Sequence, residues 1–170
     1  MGTPGPARRM AIDPKRDLVL TRIVDVPRRL LWRGWTEPEL LVRWFAPRPY
    51  TTLTCEIDLR PGGLFRSVMQ SPEGESFPNV GCILEVVPEE RLVFTDALGP
   101  GFRPTEKPFF TGIIELEDAP GGTRYTATAL AKDEADSRAH AEMGFMDGWG
   151  KALDQLVEVA RELEEKSTCR

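Results

Sequence analysis

The chain has few of the residues that metal and nucleophilic chemistry require. Its 170 residues include one histidine, His140, and three cysteines, Cys55, Cys82 and Cys169, which have no paired spacing. A protein zinc site needs several nitrogen and sulfur ligands close together. The sequence therefore predicts no metal site, and nothing in it indicates a cofactor. Cys55 and Cys82 alternate with apolar residues, and we interpret both as small core residues rather than redox groups.

Long apolar runs and an excess of positive charge are missing as well. No apolar run approaches the ~20 residues of a membrane-spanning helix or has the pattern of a secretory signal. Lysine and arginine number 22 against 27 acidic residues, a net charge of −5. Nucleic-acid binding needs clustered basic side chains, so we expect no nucleic-acid and no membrane partner. The unpaired cysteines favour a reducing cytoplasm.

The segment Trp35–Pro47 carries the strongest local signals. Thr36 and Glu39 have the spacing of a capping box, and Pro38 falls in the first turn, where its missing N–H costs nothing. We therefore predict a short helix that begins at Thr36. A shorter helix, at about residues 27–34, is expected just before it.

Hydrophobic periodicity predicts the rest of the fold. A first strand is expected at about residues 18–26, and from about residue 52 to residue 131 apolar and polar residues alternate, as in half-buried strands. Pro61-Gly62 is typical of a type II turn. Between about residues 134 and 166, apolar residues recur every three or four positions, which predicts one long amphipathic helix.

These elements predict one α+β domain at residues 16–166, in which about six consecutive antiparallel strands pack against the C-terminal helix. Residues 1–15 are expected to form a flexible N-terminal extension. Residues 167–170 are expected to form a short C-terminal tail.

Several short motifs occur in a characteristic order: Val26-Pro27, Trp35–Leu40, Arg43–Phe45, Asp58–Gly63, Pro88–Phe94, Gly121–Thr123 and Gly148-Trp149. Together they resemble the START/Bet v 1-like (SRPBCC) superfamily, in the branch called Hsp90 ATPase activator homologue-like. The resemblance implies a helix-grip fold, a curved antiparallel sheet wrapped around a long C-terminal helix, with two short helices after the first strand. It also implies an enclosed pocket, which in relatives holds lipids, sterols, polyketides or plant hormones. The branch has no universal catalytic motif to carry over.

We expect the pocket to lie between the first half of the long helix and the concave face of the sheet. Gly144 and Gly148 interrupt the helix pattern there, at a cost of roughly 1 kcal/mol each. They either leave room for a ligand or mark close packing or a kink. The predicted ligand-binding residues are Trp44, Phe45, Phe65, Arg66, Phe94, Phe110, Met143 and Met146. The loop at residues 99–108 is the predicted gate.

Arg66 and His140 are two of the polar residues that could carry chemistry. Arg66 shares its parity with Leu64 and Val68, so it would point inward if that face is the core, where it needs a carboxylate or an anionic ligand. The alternative is a solvated side chain with only its stem packed. His140 is the first candidate for acid–base work, although a lone histidine is more often structural.

The leading hypothesis is a module that binds a small hydrophobic or amphipathic ligand. The second is a cavity enzyme of the cyclase, dehydratase or hydrolase type, with Arg66, Asp96 and His140 as the only polar candidates. The third is a chaperone-associated stress-response protein, which rests on the family name alone. A homodimer is left open.

Overall fold

The computed structural model describes residues 11–168. The first ten residues of the expected extension and the last two of the expected tail therefore lie outside the described residues. Within residues 11–168, no helix has both the length and the apolar character that a membrane crossing requires.

Seven strands form one antiparallel sheet. Five of them precede residue 96: β1 (Asp17–Val24), β2 (Thr51–Ile57), β3 (Leu64–Gln70), β4 (Ser76–Val87) and β5 (Arg91–Thr95). Two tiny strands, β6 (Leu98–Gly99) and β7 (Arg103–Pro104), flank a 3-10 turn and pair only with each other. The sheet is completed by β8 (Thr111–Ala119) and β9 (Gly122–Leu130). Its spatial order is β1-β9-β8-β5-β4-β3-β2, which confirms the predicted meander and places β1 beside β9.

In the described part of the chain, four α-helices accompany the sheet: α1 (Arg28–Thr36), α2 (Pro38–Leu41), α3 (Glu134–Glu142) and α4 (Phe145–Thr168). One buried core joins apolar side chains of α1, α2, α4 and the inner face of the sheet. Helices α1 and α4 meet closely at Gly34, where an added Cβ would lie 2.4 Å from Leu156 Cδ1. The expected α+β, helix-grip fold is confirmed.

The predicted capping box at Thr36 is wrong. Thr36 is the last residue of α1, and its hydroxyl donates a hydrogen bond of 2.8 Å to the carbonyl oxygen of Trp32. Glu37 then precedes α2, and Pro38 is the first residue of that helix. A threonine hydroxyl within a helix can bond to the carbonyl one turn back, and here that acceptor replaces the expected cap.

The long C-terminal helix is present as α4, but its predicted start at about residue 134 is wrong. The helical path breaks between α3 and α4, where Gly144 has a φ of +92°. Only glycine adopts this left-handed conformation without strain, so Gly144 ends one helix and permits the next to begin at Phe145. The kink that we considered for the glycines is therefore present.

The predicted faces of β2 and β3 need correction. Along β3, Phe65 and Ser67 are buried whereas Arg66 is exposed, so Arg66 points away from the core. In β2, a register shift between Thr52 and Thr54 buries Thr52 and leaves Leu53 exposed. Cys55 and Ile57, beyond the shift, still pack against the core, so Leu53 is the apolar residue of β2 that leaves the predicted face.

Candidate ligand-binding cavity

A cavity of about 350 Å³ lies between α4, the segment after α2 and the inner face of the sheet. Aromatic side chains from separate parts of the chain form much of its wall: Trp35, Trp44, Phe45, Phe65, Phe94, Phe109, Phe110, Tyr125, Phe145 and Trp149. Protein interiors are normally packed with few voids larger than a water molecule. A space of this size within an apolar wall therefore needs an explanation, and its volume lies within the range of small-molecule pockets.

The aromatic wall is continuous because its rings contact one another. Phe65 and Phe94 stack with ring centroids 5.0 Å apart, and Phe94 lies 5.6 Å from Trp35. On the helix side, Trp149 packs edge-on against Phe110 at 5.6 Å. Gly112 makes room for the Phe94 ring, since a Cβ there would lie only 2.5 Å from Phe94 Cζ.

One buried side chain of α4 holds the segment after α2 against the cavity. Gln155 Nε2 donates hydrogen bonds to the carbonyl oxygens of Trp44 and Ala46, at 2.9 and 2.8 Å. Its Oε1 accepts a bond of 2.9 Å from the backbone N–H of Arg48. Because Trp44, Phe45 and Pro47 line the cavity, Gln155 positions one of its walls.

Besides Thr95, whose hydroxyl is hydrogen-bonded with that of Thr111 at 2.8 Å, two hydroxyl groups of the cavity wall are deeply buried. Ser67 is 1 % exposed, and within the described part of the chain its Oγ has no hydrogen-bond partner. The Tyr125 hydroxyl accepts a bond of 3.1 Å from Trp35 Nε1. Burial raises the pKa of Tyr125 far above its ordinary value, and the Trp35 bond opposes this only in part. Both groups are therefore uncharged hydrogen-bonding sites at neutral pH.

Asp96 and His140 are the titratable side chains of the cavity wall besides Tyr125. The Asp96 carboxylate accepts hydrogen bonds from the backbone N–H groups of Phe109 and Phe110, at 2.8 and 3.1 Å. The His140 ring packs against Phe109, with centroids 4.0 Å apart. Burial lowers the pKa of His140, while the carboxylates of Asp136 and Asp96 act in the opposite direction. The imidazole is therefore neutral at neutral pH.

The cavity brings together most of the predicted ligand-binding residues. Its wall includes Trp44, Phe45, Phe65, Phe94, Phe110 and Met143. Arg66 and Met146 do not line it. Arg66 lies on the opposite face of β3, and Met146 is 51 % exposed on the outer side of α4. Met143 is itself 73 % exposed and so lies at the rim.

The loop at residues 99–108, which was the predicted gate, does not border the cavity. No residue of 97–108 lines the cavity, and part of that loop is tied down by the β6–β7 pair. The exposed lining residues are instead Asn79, Val80, Phe109 and Met143. Ser67, Gln155 and Gly112 were not predicted from the sequence as parts of the site. A glycine among the strand residues of β8 was the one available signal, since it often marks a close approach.

The described residues contain no group of three or more histidine, cysteine, aspartate or glutamate side chains placed to hold a metal ion. Cys82 is fully buried, as expected for a core residue, and Cys55 is partly buried. Burial raises the pKa of the Cys55 thiol to about 11, which keeps it protonated and weakly reactive.

The antiparallel sheet, the two short helices after β1 and the C-terminal helix over an apolar cavity define a helix-grip protein of the Bet v 1-like (SRPBCC) superfamily. The family model described as Activator of Hsp90 ATPase homolog 1-like protein matches residues 25–161, and the chain belongs to this family.

Solved structures agree with this assignment. A protein from Nitrosomonas europaea is 48 % identical, with a TM-score of 0.88, and the alignment covers 91 % of this chain and 99 % of that one. An AHSA1-like protein from Aeromonas hydrophila is 21 % identical, with a TM-score of 0.67 and coverage of 87 % and 94 %. A protein from Mycobacterium smegmatis is 23 % identical, with a TM-score of 0.71 and coverage of 85 % and 90 %. The last two support the fold alone. Among curated proteins, none matches this chain.

Proposed function

We propose that this protein binds a small hydrophobic or amphipathic molecule in the cavity between the sheet and α4. The observation that carries the proposal is an open space of about 350 Å³ behind a wall of aromatic rings. An unfilled apolar cavity reduces stability, because its lining loses the contacts that packed atoms would make. A ligand that fills the space restores those contacts and removes its own apolar surface from water.

The alternative of a cavity enzyme has less support. Arg66 lies outside the cavity, and the Asp96 carboxylate is already used by two backbone N–H groups. His140 packs against Phe109. The cavity wall contains one serine, Ser67 of β3, and no cysteine, and among the described residues the Ser67 hydroxyl is not hydrogen-bonded to His140. Binding therefore explains the cavity with fewer assumptions than turnover.

The proposal can be tested with 1-N-phenylnaphthylamine, an uncharged dye whose emission rises in apolar surroundings. Ala152 is 8 % exposed and lines the cavity, so Ala152→Phe should fill part of the space. We expect saturable binding to the wild type and at least tenfold weaker binding to Ala152→Phe. Met146→Phe is the matched control, because Met146 lies on the same helix but outside the cavity.

Circular dichroism and thermal melting establish that both variants remain folded. The proposal is contradicted if the dye does not bind the wild type, or if folded Ala152→Phe binds it as tightly as Met146→Phe does. Displacement of the dye by unlabelled apolar compounds then ranks ligands in the same assay.

A further inference from the structure

The Ser67 hydroxyl is buried on a wall of the cavity and has no hydrogen-bond partner among the described residues. Ser67 and Phe65 lie on the same buried face of β3, and both line the cavity. A hydroxyl that has left water without forming a hydrogen bond destabilises the folded state. Thr52 Oγ1 is also buried and unpartnered among the described residues, but Thr52 does not line the cavity. Of these two hydroxyls, Ser67 is therefore the one that can regain a hydrogen bond from a molecule that enters.

The charges around the cavity select against one class of amphiphile. No lysine or arginine occurs among the lining residues, all of which lie in the described part of the chain. The wall carries the Asp96 carboxylate, and His140 beside it is a neutral imidazole at neutral pH. A buried carboxylate on a ligand would have no opposite charge to offset its desolvation, and it would be repelled by Asp96.

The wall around Ser67 favours flat, unsaturated ligands. The stacked pair of Phe65 and Phe94 presents ring faces and edges, with Trp35 and Phe45 in contact with the same pair. Aromatic rings pack against such surfaces in stacked or edge-to-face arrangements that contribute beyond simple burial.

We infer that the ligand is an uncharged, mainly aromatic molecule with a hydroxyl or carbonyl oxygen that hydrogen-bonds to Ser67 Oγ. This inference rests on the proposed function and specifies its ligand class. Carboxylate amphiphiles such as fatty acids are excluded as preferred ligands.

Three probes of one scaffold test the inference: biphenyl, 4-hydroxybiphenyl and biphenyl-4-carboxylate. Their dissociation constants are measured by isothermal titration calorimetry and by displacement of 1-N-phenylnaphthylamine, at about pH 7.5, where a phenol is uncharged. We expect 4-hydroxybiphenyl to bind the wild type at least tenfold more tightly than the carboxylate. The preference for 4-hydroxybiphenyl over biphenyl should fall about 3- to 10-fold in Ser67→Ala, the factor that one net hydrogen bond supplies.

Thr52→Val is the matched control, because it removes the other unpartnered hydroxyl without touching the cavity wall. It should leave the preference unchanged. Ser67→Cys, which keeps the shape and a weak donor, should give an intermediate preference. Thermal melting without ligand shows that each variant is folded.

The outcomes separate this inference from the proposed function. If biphenyl and 4-hydroxybiphenyl bind but Ser67→Ala keeps the wild-type preference, or if the carboxylate binds as tightly as the phenol, the inference is overturned and cavity binding stands. If neither uncharged probe binds the wild type up to its solubility limit, both fail.

Discussion

The two halves of α4 face the same sheet but pack in opposite ways. From the middle of the helix towards its C-terminus, Leu156 and Ala160 are fully buried, and Leu156 reaches the bare backbone of Gly34 on α1. In the N-terminal half, Gly148 and Trp149 face the cavity, and an added Cβ at Gly148 would meet only Pro47 Cγ, 3.9 Å away. One end of the helix is closed, whereas the other leaves open space.

The difference shows that one amphipathic helix can supply both a core and a binding site. In the first region the aliphatic side chains of Leu156, Val157 and Ala160 are buried, as in an ordinary protein core. In the second region, small residues alternate with large rings whose shapes do not fill the gaps between them. The predictions below compare the closed end with the open end.

Removal of a large side chain should lower the free energy of unfolding most at the closed end. We expect Leu156→Ala to lower the free energy of unfolding by about 3–5 kcal/mol, because a fully buried leucine leaves a cavity. Trp149→Ala should lower the free energy of unfolding by about 1–2 kcal/mol, which is below the usual range for a core tryptophan. The reason is that the Trp149 ring is only partly buried and already borders open space. Urea denaturation measures both, and an equal or larger loss for Trp149→Ala would refute the contrast.

Gln155 lies on α4 between the closed end and the open end, and it anchors the segment after α2 there. Gln155→Ala should lower the free energy of unfolding by about 2–3 kcal/mol, because buried backbone groups of Trp44 and Ala46 lose their partner. Glu158→Ala is the control. Glu158 also links α4 to Arg48, through an exposed ion pair of 2.8 Å, and its loss should cost less than about 0.5 kcal/mol. Similar losses in the two variants would show that Gln155 is not an anchor.

Glycine-to-alanine substitutions should change the free energy of unfolding in opposite directions at the two ends. At Gly34, the new methyl group would overlap Leu156, and the strain should exceed the gain in helix propensity, for a net loss of about 1 kcal/mol. At Gly148, the methyl group meets open space, so the same change should stabilise by about 0.5–1 kcal/mol. Chemical denaturation of both variants checks the signs, and a loss of stability at Gly148 would contradict an open cavity there.

The smallest expected effect is a pH dependence at the open end. Because the pKa of His140 is lowered in the folded state, the unfolded chain takes up a proton first as the pH falls below the ordinary value of 6.5. The contribution of neutral His140 to the free energy of unfolding is therefore intact above pH 6.5 and declines as the pH falls below it. His140→Gln should lack this decline. Urea denaturation of both proteins between about pH 8 and pH 5 gives the difference, and a constant difference would show that His140 is not protected from protonation.

The meander and the C-terminal helix were predictable because they depend on local periodicity. Pro61-Gly62 forms the expected turn, with Gly62 at a φ of +81° and a hydrogen bond of 2.9 Å from Gly63 N to Arg60 O. Most of the aromatic cavity residues were found because large rings in a small domain must lie near the core. Arg66 was misplaced because Leu64, next to the turn, suggested the wrong face, while Phe65 and Ser67 occupy the inner one. Met146 was misplaced because its spacing from Trp149 suggested the inner face of the helix, whereas the side chain is 51 % exposed.

The sequence by itself determined the order of the elements, the alternation of the strands and the apolar stripe of α4, since each depends on neighbours within a few residues. Only the tertiary structure decided that Gln155 bonds to Trp44 and Ala46, that Phe94 lies over Gly112, and that Ser67 has no hydrogen-bond partner within residues 11–168. The cavity belongs to this second group. It is the volume that remains after side chains from distant parts of the chain have packed, and no local pattern encodes that remainder.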